Sequence, residues 1–176
     1  ANSCLCWFAE REDYRKFCGT APQLMVFGMR EALDMIFEEG LENIYERHRV
    51  LAEATHAAVE VWSQAGTLSL NAIEPKERST AVTTILTDEG VDANMIRDVC
   101  RDEMMVGLGG GLGNLAGRAF RVGHMGDMNA PMLFAALASI EATFRYLDIK
   151  FAPGGVTAAI EYVAQSKKVG TGPFSY

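Results

Sequence analysis

Two candidate strands flank a glycine-dense loop in the stretch Met104-Met-Val-Gly-Leu-Gly-Gly-Gly-Leu-Gly-Asn-Leu-Ala-Gly-Arg-Ala-Phe-Arg-Val-Gly-His124. Residues 104–108 and 119–122 are mostly apolar, and short apolar runs bounded by turn residues favour strands. The glycines between them allow the backbone to turn sharply or to approach a ligand closely. The stretch therefore predicts sheet structure rather than a continuous helix.

Two further strands are predicted upstream of this stretch. Residues 68–73 alternate apolar and polar side chains, and residues 81–86 are rich in β-branched side chains, which pack well on a pleated surface. Asp92 then caps a short amphipathic helix that ends near Cys100. The order strand, strand, helix, strand, strand predicts a small mixed or antiparallel sheet.

Helical periodicity predicts four more helices around these strands. Apolar residues return every three or four positions over residues 22–40 and again over residues 41–65, each run stopping at a glycine. Asn129 and the proline two places later open a helix that reaches about residue 147, and a last helix covers residues 156–165. We therefore predict an α+β fold in which helices cover the sheet.

Composition excludes several functions. The chain has 176 residues, 49% of them apolar and 22% charged, and its net charge is −7. Nucleic-acid binders carry clustered Lys and Arg, which this acidic chain lacks, so we expect no nucleic-acid partner. No stretch approaches the roughly 18 apolar residues of a membrane helix, and no secretion signal opens the chain. We expect a cytoplasmic protein without a membrane partner.

The four cysteines give no sign of a disulfide framework or a metal site. Without a secretion signal they are expected to be reduced thiols. Zinc sites use cysteine pairs separated by two or more residues with histidine nearby, whereas Cys4 and Cys6 are one residue apart and His48 is the first histidine. We therefore expect no metal.

The glycine loop matches a dinucleotide-binding fingerprint only formally, through Gly111-x-Gly113-x-x-Ala116. That fingerprint binds pyrophosphate when its glycines open a helix. Here the following segment predicts a strand, so we favour a loop that turns the backbone. The alternative, a nucleotide site, requires a helix over residues 118–123.

Arg121 is the sharpest candidate for a binding residue. It lies among apolar neighbours in a predicted strand, where an unpaired guanidinium costs several kcal/mol, so it needs an anion. That anion is either an internal Asp or Glu or the carboxylate or phosphate of a ligand.

His124 follows between two glycines that let its ring reach a cleft, although a lone histidine there is more often structural. His48 and His56 share one helix face without carboxylate support for a metal.

Three stretches in order resemble the C-terminal half of class V pyridoxal-phosphate aminotransferases, in particular serine–glyoxylate and alanine–glyoxylate aminotransferases. The first is Thr20-Ala-Pro-Gln-Leu-Met-Val-Phe-Gly-Met-Arg30 with its continuation to His48. The second is Gly109-Gly-Gly-Leu-Gly113 leading to Phe120-Arg-Val-Gly-His-Met-Gly-Asp127, and the third is Gly154-Gly-Val156. The resemblance extends from about Tyr14 onward, and it implies the fold-type I small domain.

The resemblance also implies roles for individual residues. The arginine that matches Arg121 binds the substrate carboxylate. The threonine that matches Thr20 contacts the phosphate of pyridoxal 5'-phosphate in the neighbouring subunit, because the active sites lie at a homodimer interface. Phe17 stands where the family often has a phosphate-binding tyrosine, which weakens the expected grip on the phosphate.

The family's catalytic lysine belongs to a large N-terminal domain that this chain is expected to lack. The lysines present match no catalytic position: Lys16, Lys76, Lys150, Lys167 and Lys168. We interpret residues 1–19 as a connector and residues 20–176 as the small domain of a longer protein, inactive by itself. The resemblance implies amino transfer from serine or alanine to glyoxylate or a similar 2-oxo acid. The alternatives are pyridoxamine–pyruvate transfer and a non-catalytic binding domain.

Overall fold

The computed structural model describes residues 22–166, and the chain divides into two compact units between Leu41 and Glu42. The first unit contains helix α1 (Gln23–Glu39). It ends at Gly40, whose φ of 86° places it in a backbone region open to glycine and whose N–H bonds to the Ile36 carbonyl. The predicted stop at Gly40 is confirmed. Within the described residues, no helix combines the length and apolarity that a membrane crossing needs.

The described part of the second unit contains four α-helices and a four-stranded sheet. The helices are α2 (Leu41–Trp62, whose first residue precedes the unit boundary), α3 (Ala93–Asp102), α4 (Ala130–Tyr146) and α5 (Gly155–Gln165). The strands are β1 (Leu68–Leu70), β2 (Val82–Thr87), β3 (Gly109–Gly110) and β4 (Ala119–Gly123). The order across the sheet is β1-β2-β4-β3, and all three pairings are antiparallel. The α+β prediction is confirmed.

The sheet has one buried face and one half-exposed face. Burial alternates along β2, where residues 83, 85 and 87 are buried and their neighbours are half-buried, as the two-residue period of a strand requires. Ile85 lies opposite Phe120 on β4, and both side chains are fully buried. The helices pack on this face and build one core, whose largest fully buried side chains include Leu51, Trp62, Ile96, Leu133, Leu137, Ile140 and Phe144.

The expected strand at residues 104–108 is wrong. Val106 donates its N–H to the Cys100 carbonyl over 2.8 Å, so this segment closes the end of α3 instead of pairing with a strand. Met105 adopts a positive φ of 57°, which no regular strand contains. The outer partner of β4 is instead Gly109–Gly110, at the start of the stretch whose glycines predict a loop. The strand expected over residues 68–73 is also shorter and ends at Leu70.

The expected helix caps are confirmed. The Asp92 carboxylate accepts from the Asn94 N–H over 2.8 Å, and the Asn129 amide oxygen accepts from the Met132 N–H over 3.0 Å. At the start of α5, the Glu141 carboxylate accepts from the Val156 N–H over 3.1 Å and from the Trp62 indole over 2.8 Å. One carboxylate therefore satisfies both a helix N-terminus and a buried indole.

Gly155→Ala is expected to destabilise the fold by about 1–3 kcal/mol, the usual range for overpacking. A Cβ at residue 155 would lie 2.2 Å from Trp62 Nε1 in the fully buried indole. Urea unfolding followed by tryptophan fluorescence measures the change. Gly90→Ala is the matched control, since its Cβ would meet no atom within 4 Å. Equal stability of the two variants would contradict the close packing.

Helix α1 has no buried residue, and it exposes 87% of Leu24, 69% of Phe27 and 71% of Phe37. Contiguous exposed apolar surface promotes association. The isolated chain is therefore expected to self-associate and to bind a hydrophobic dye, both reduced when these three residues are changed to Gln. A monodisperse monomer in light scattering, without dye binding, would contradict this expectation.

Candidate functional site

Arg121 is in the middle of β4, opposite Thr84 of β2 and Gly109 of β3. Its flanking residues Phe120 and Val122 are buried in the core, so Arg121 lies on the other, half-exposed face of the sheet. Its Nε donates to the Gly110 carbonyl over 2.7 Å. This hydrogen bond ties the arginine side chain to the neighbouring strand.

The glycines of β3 make room for two arginine side chains. A Cβ on Gly109 would lie 3.3 Å from Arg121 Nε, and a Cβ on Gly110 would lie 3.1 Å from the Arg97 guanidinium. Arg97 is further fixed by the Leu108 carbonyl at 3.3 Å and by the Asn94 side-chain oxygen at 3.1 Å. Arginines therefore flank β3, because consecutive strand residues point to opposite faces.

Within residues 22–166, no carboxylate forms an ion pair with Arg121. Other arginines of the second unit do form such pairs, for example Arg78 with Glu60 at 2.6 Å and Arg49 with Glu46 at 2.9 Å. Of the two anions that the sequence left open for Arg121, the internal acid is thus not found in the described part of the chain. Its Nη1 and Nη2 atoms make no hydrogen bond to these residues and can bind an anion in bidentate fashion.

His124 is a buried structural residue and not an open ligand. Its ring is fully buried, and Nδ1 lies 3.2 Å from the Thr80 carbonyl while Nε2 lies 2.8 Å from the Thr83 hydroxyl. A carbonyl only accepts, so Nδ1 carries the proton and Nε2 accepts from Thr83 in the neutral ring. Burial lowers the pKa of His124 to about 4.

Gly126, the second glycine beside His124, is bonded to helix α2. The Gly126 N–H donates to His48 Nε2 over 3.1 Å, and Arg47 donates to the Gly126 and Met128 carbonyls over 2.7 and 2.8 Å. These bonds hold the segment after β4 against the start of α2. Helical spacing gave no sign of this role, because the contact joins residues 78 positions apart.

His56 lines two neighbouring cavities of about 350 and 170 Å³, which also share Arg78. The ring is 8% exposed and lies edge-on to His124, with the ring centres 6.2 Å apart. Burial and the charge of Arg78 lower the pKa of His56. Glu53 and Glu60 offset the charge of Arg78 around the larger cavity, so the walls do not select an anion or a cation. The described residues contain no metal-binding group of three His, Cys, Asp or Glu side chains.

The nucleotide-loop alternative is excluded by the structure. Residues 119–123 form strand β4, where a dinucleotide loop needs a helix. The glycines instead serve packing: a Cβ at Gly111 would lie 1.9 Å from the Leu115 carbonyl oxygen of the adjoining turn. The predicted loop that turns the backbone is found only after Gly110, because Gly109 and Gly110 form strand β3.

Several residues considered from the sequence lie outside residues 22–166. They include Thr20, assigned by resemblance to the cofactor phosphate, as well as Phe17, three of the lysines and three of the cysteines. Of the other two lysines, Lys76 is on an exposed turn (Pro75–Glu77) and Lys150 is exposed after α4. Cys100 is a buried free thiol, and burial raises its pKa.

Sequence comparison finds aminotransferases. The chain is 43% identical over 162 residues to serine–glyoxylate aminotransferase of Methylorubrum extorquens. The aligned region covers 88% of this chain and 39% of that protein. It is 34% identical over 148 residues to L-aspartate–glyoxylate aminotransferase of Paracoccus denitrificans. This alignment covers 84% of this chain and 36% of that protein. No protein-family model matches the chain. The chain thus spans less than half the length of these relatives.

Solved structures show the same fold. The ureidoglycine–glyoxylate aminotransferase of Bacillus subtilis matches with a TM-score of 0.71 at 27% identity, over 80% of this chain and 35% of that one. The pyridoxamine–pyruvate aminotransferase of Mesorhizobium loti matches with a TM-score of 0.67 at 30% identity, over 75% and 33%. Fold and sequence together show that the chain is homologous to part of these proteins, whose class is the aminotransferases.

Within that class, the chain is homologous to the serine–glyoxylate and related aminotransferases, the class V family that its motifs resemble. The resemblance seen in the sequence is thereby confirmed.

Lowering the pH is expected to destabilise the chain through His124. Its pKa is about 4 in the folded state against 6.5 for an ordinary histidine, so below pH 6.5 the unfolded chain binds the extra proton. Neutral His124 contributes fully to the free energy of unfolding above pH 6.5. That free energy falls by about 2 kcal/mol between pH 7.5 and pH 5. Urea unfolding at both pH values measures it. His124→Gln should remove this part of the pH dependence; an unchanged dependence in that variant would contradict the assignment.

Proposed function

We propose that this chain is the C-terminal part of a class V aminotransferase that transfers an amino group from serine or alanine to glyoxylate or a similar 2-oxo acid. Arg121 binds the substrate carboxylate in this proposal. The observation that carries it is the geometry of Arg121, a guanidinium on the half-exposed sheet face with Nε bonded to Gly110 and no ion pair in residues 22–166.

One arginine suits both halves of such a reaction. The amino donor and the 2-oxo acid acceptor each carry a carboxylate next to the reacting carbon, so the same pair of Nη atoms can orient each in turn. Orientation of a reacting group contributes several kcal/mol to catalysis. The bond to Gly110 restricts the side chain before substrate arrives, which reduces the entropy lost on binding.

The cofactor of the proposed reaction is pyridoxal 5'-phosphate, which supplies an electron sink for the substrate carbon when bound. In the proposal Thr20 contributes to the phosphate site of a neighbouring subunit in a homodimer. The Schiff-base lysine belongs to the part of the relatives that this chain does not match, so the chain alone does not transaminate. We place the whole protein in the cytoplasm.

The names of the relatives support the acceptor more narrowly than the donor. Two of the named relatives combine glyoxylate with different donors, serine and L-aspartate. Pyridoxamine–pyruvate transfer is a second candidate, favoured by the fold match at a TM-score of 0.67. Pyridoxamine has no carboxylate, so offering serine, alanine and pyridoxamine separately to the full-length protein distinguishes the two reactions.

Arg121→Ala in the full-length protein is expected to lower kcat/KM for the amino donor roughly ten- to a hundredfold. This range corresponds to the loss of roughly 1.5–3 kcal/mol from hydrogen bonds to a charged group. Steady-state kinetics with serine and with glyoxylate measure the effect, and both substrates should be affected.

The matched control is Arg118→Ala, which removes an exposed guanidinium three residues earlier. It should leave kcat/KM within about twofold, since surface changes rarely perturb a site. An Arg121→Ala enzyme with unchanged kinetics, or an equal loss in both variants, would remove Arg121 from the proposal.

A further inference from the structure

Gly109 has no conformational reason to be glycine. Among residues 22–166, six other glycines adopt positive φ values, Gly113 and Gly117 among them, but Gly109 does not. It belongs to strand β3, where a residue with a side chain is ordinarily favoured. Any advantage of glycine at this position therefore comes from packing.

The packing partner of Gly109 is Arg121. A Cβ at residue 109 would lie 3.2 Å from Arg121 Cβ, 3.3 Å from Nε and 3.6 Å from Cζ. The first two distances are tighter than ordinary van der Waals contact, so the Arg121 side chain would have to shift by a few tenths of an ångström. We expect that shift to weaken the bond from Nε to the Gly110 carbonyl.

We propose that Gly109 is a positioning residue for the carboxylate-binding arginine, an inference that rests on the proposed function. The missing side chain lets Arg121 lie against β3 with Nε fixed on the Gly110 carbonyl. With Nε occupied, the guanidinium presents Nη1 and Nη2, and the substrate carboxylate binds end-on to these two atoms. Gly109 and Gly110 therefore set the direction in which the Arg121 guanidinium binds the substrate carboxylate.

A double-mutant cycle in the full-length protein tests the proposal. Gly109→Ala should lower kcat/KM for the amino donor and for glyoxylate about tenfold, and it should have no further effect once Arg121 is changed to Ala. The control is Gly107→Ala, two residues earlier, whose Cβ would meet no atom within 4 Å. It should leave both values within about twofold.

The outcomes separate this inference from the proposed function. If Arg121→Ala lowers kcat/KM and Gly109→Ala does not, the positioning role is wrong and the carboxylate site stands. If Gly109→Ala acts equally with and without Arg121, the role is also wrong, because the effect does not pass through the arginine. If Arg121→Ala itself has no effect, the proposed function fails.

A second measurement tests the contact between Gly109 and Arg121 independently of enzyme activity. In ¹⁵N NMR spectra of the 176-residue chain, the Arg121 Nε–H signal should exchange slowly with water, and Gly109→Ala should accelerate the exchange while Gly107→Ala does not. If Gly109→Ala prevents folding, adding Arg121→Gly should restore it, because this change removes both the guanidinium and the Arg121 Cβ that would lie 3.2 Å away. Unchanged exchange in Gly109→Ala, or a folding defect that persists without Arg121, would overturn the proposal.

Discussion

The hydrogen bond from Arg121 Nε to the Gly110 carbonyl joins the features on which the proposed site depends. A guanidinium between buried strand neighbours needs partners for its donors. The antiparallel register supplies one of them, because β4 places Arg121 opposite Gly109 and Phe120 opposite Gly110. The glycines of the short strand β3 leave space for the arginine side chain. We propose that a substrate carboxylate binds its remaining donors.

The two faces of the sheet in the second unit have different environments. The buried face packs against the helices and supplies the core, which includes Trp62 and Phe144 with their rings edge-on at 5.3 Å. The half-exposed face carries Arg121. Just past β4, His124 and the bonds from Arg47 and His48 to the next segment fix the end of that strand. Alternate residues of the same strands thus supply the core and the proposed binding residue.

Much of this fold could be predicted from the sequence because its signals are local. Helix caps at Asp92 and Asn129 and the stop at Gly40 depend on neighbouring residues, and each was predicted correctly. The apolar surroundings of Arg121 also predicted that it needs an anion. Position 109 could not be predicted, since glycine disfavours strands and its pairing partner is 12 residues away. The burial of His124 depends on Thr80 and Thr83, which only the tertiary fold brings to it.

A crystal structure of the full-length protein with a bound substrate carboxylate tests the central claim most directly. The account predicts that the carboxylate oxygens lie within hydrogen-bond distance of Arg121 Nη1 and Nη2, while Nε stays on the Gly110 carbonyl. A carboxylate held by other residues, with Arg121 paired to an acidic side chain of the protein, would contradict it.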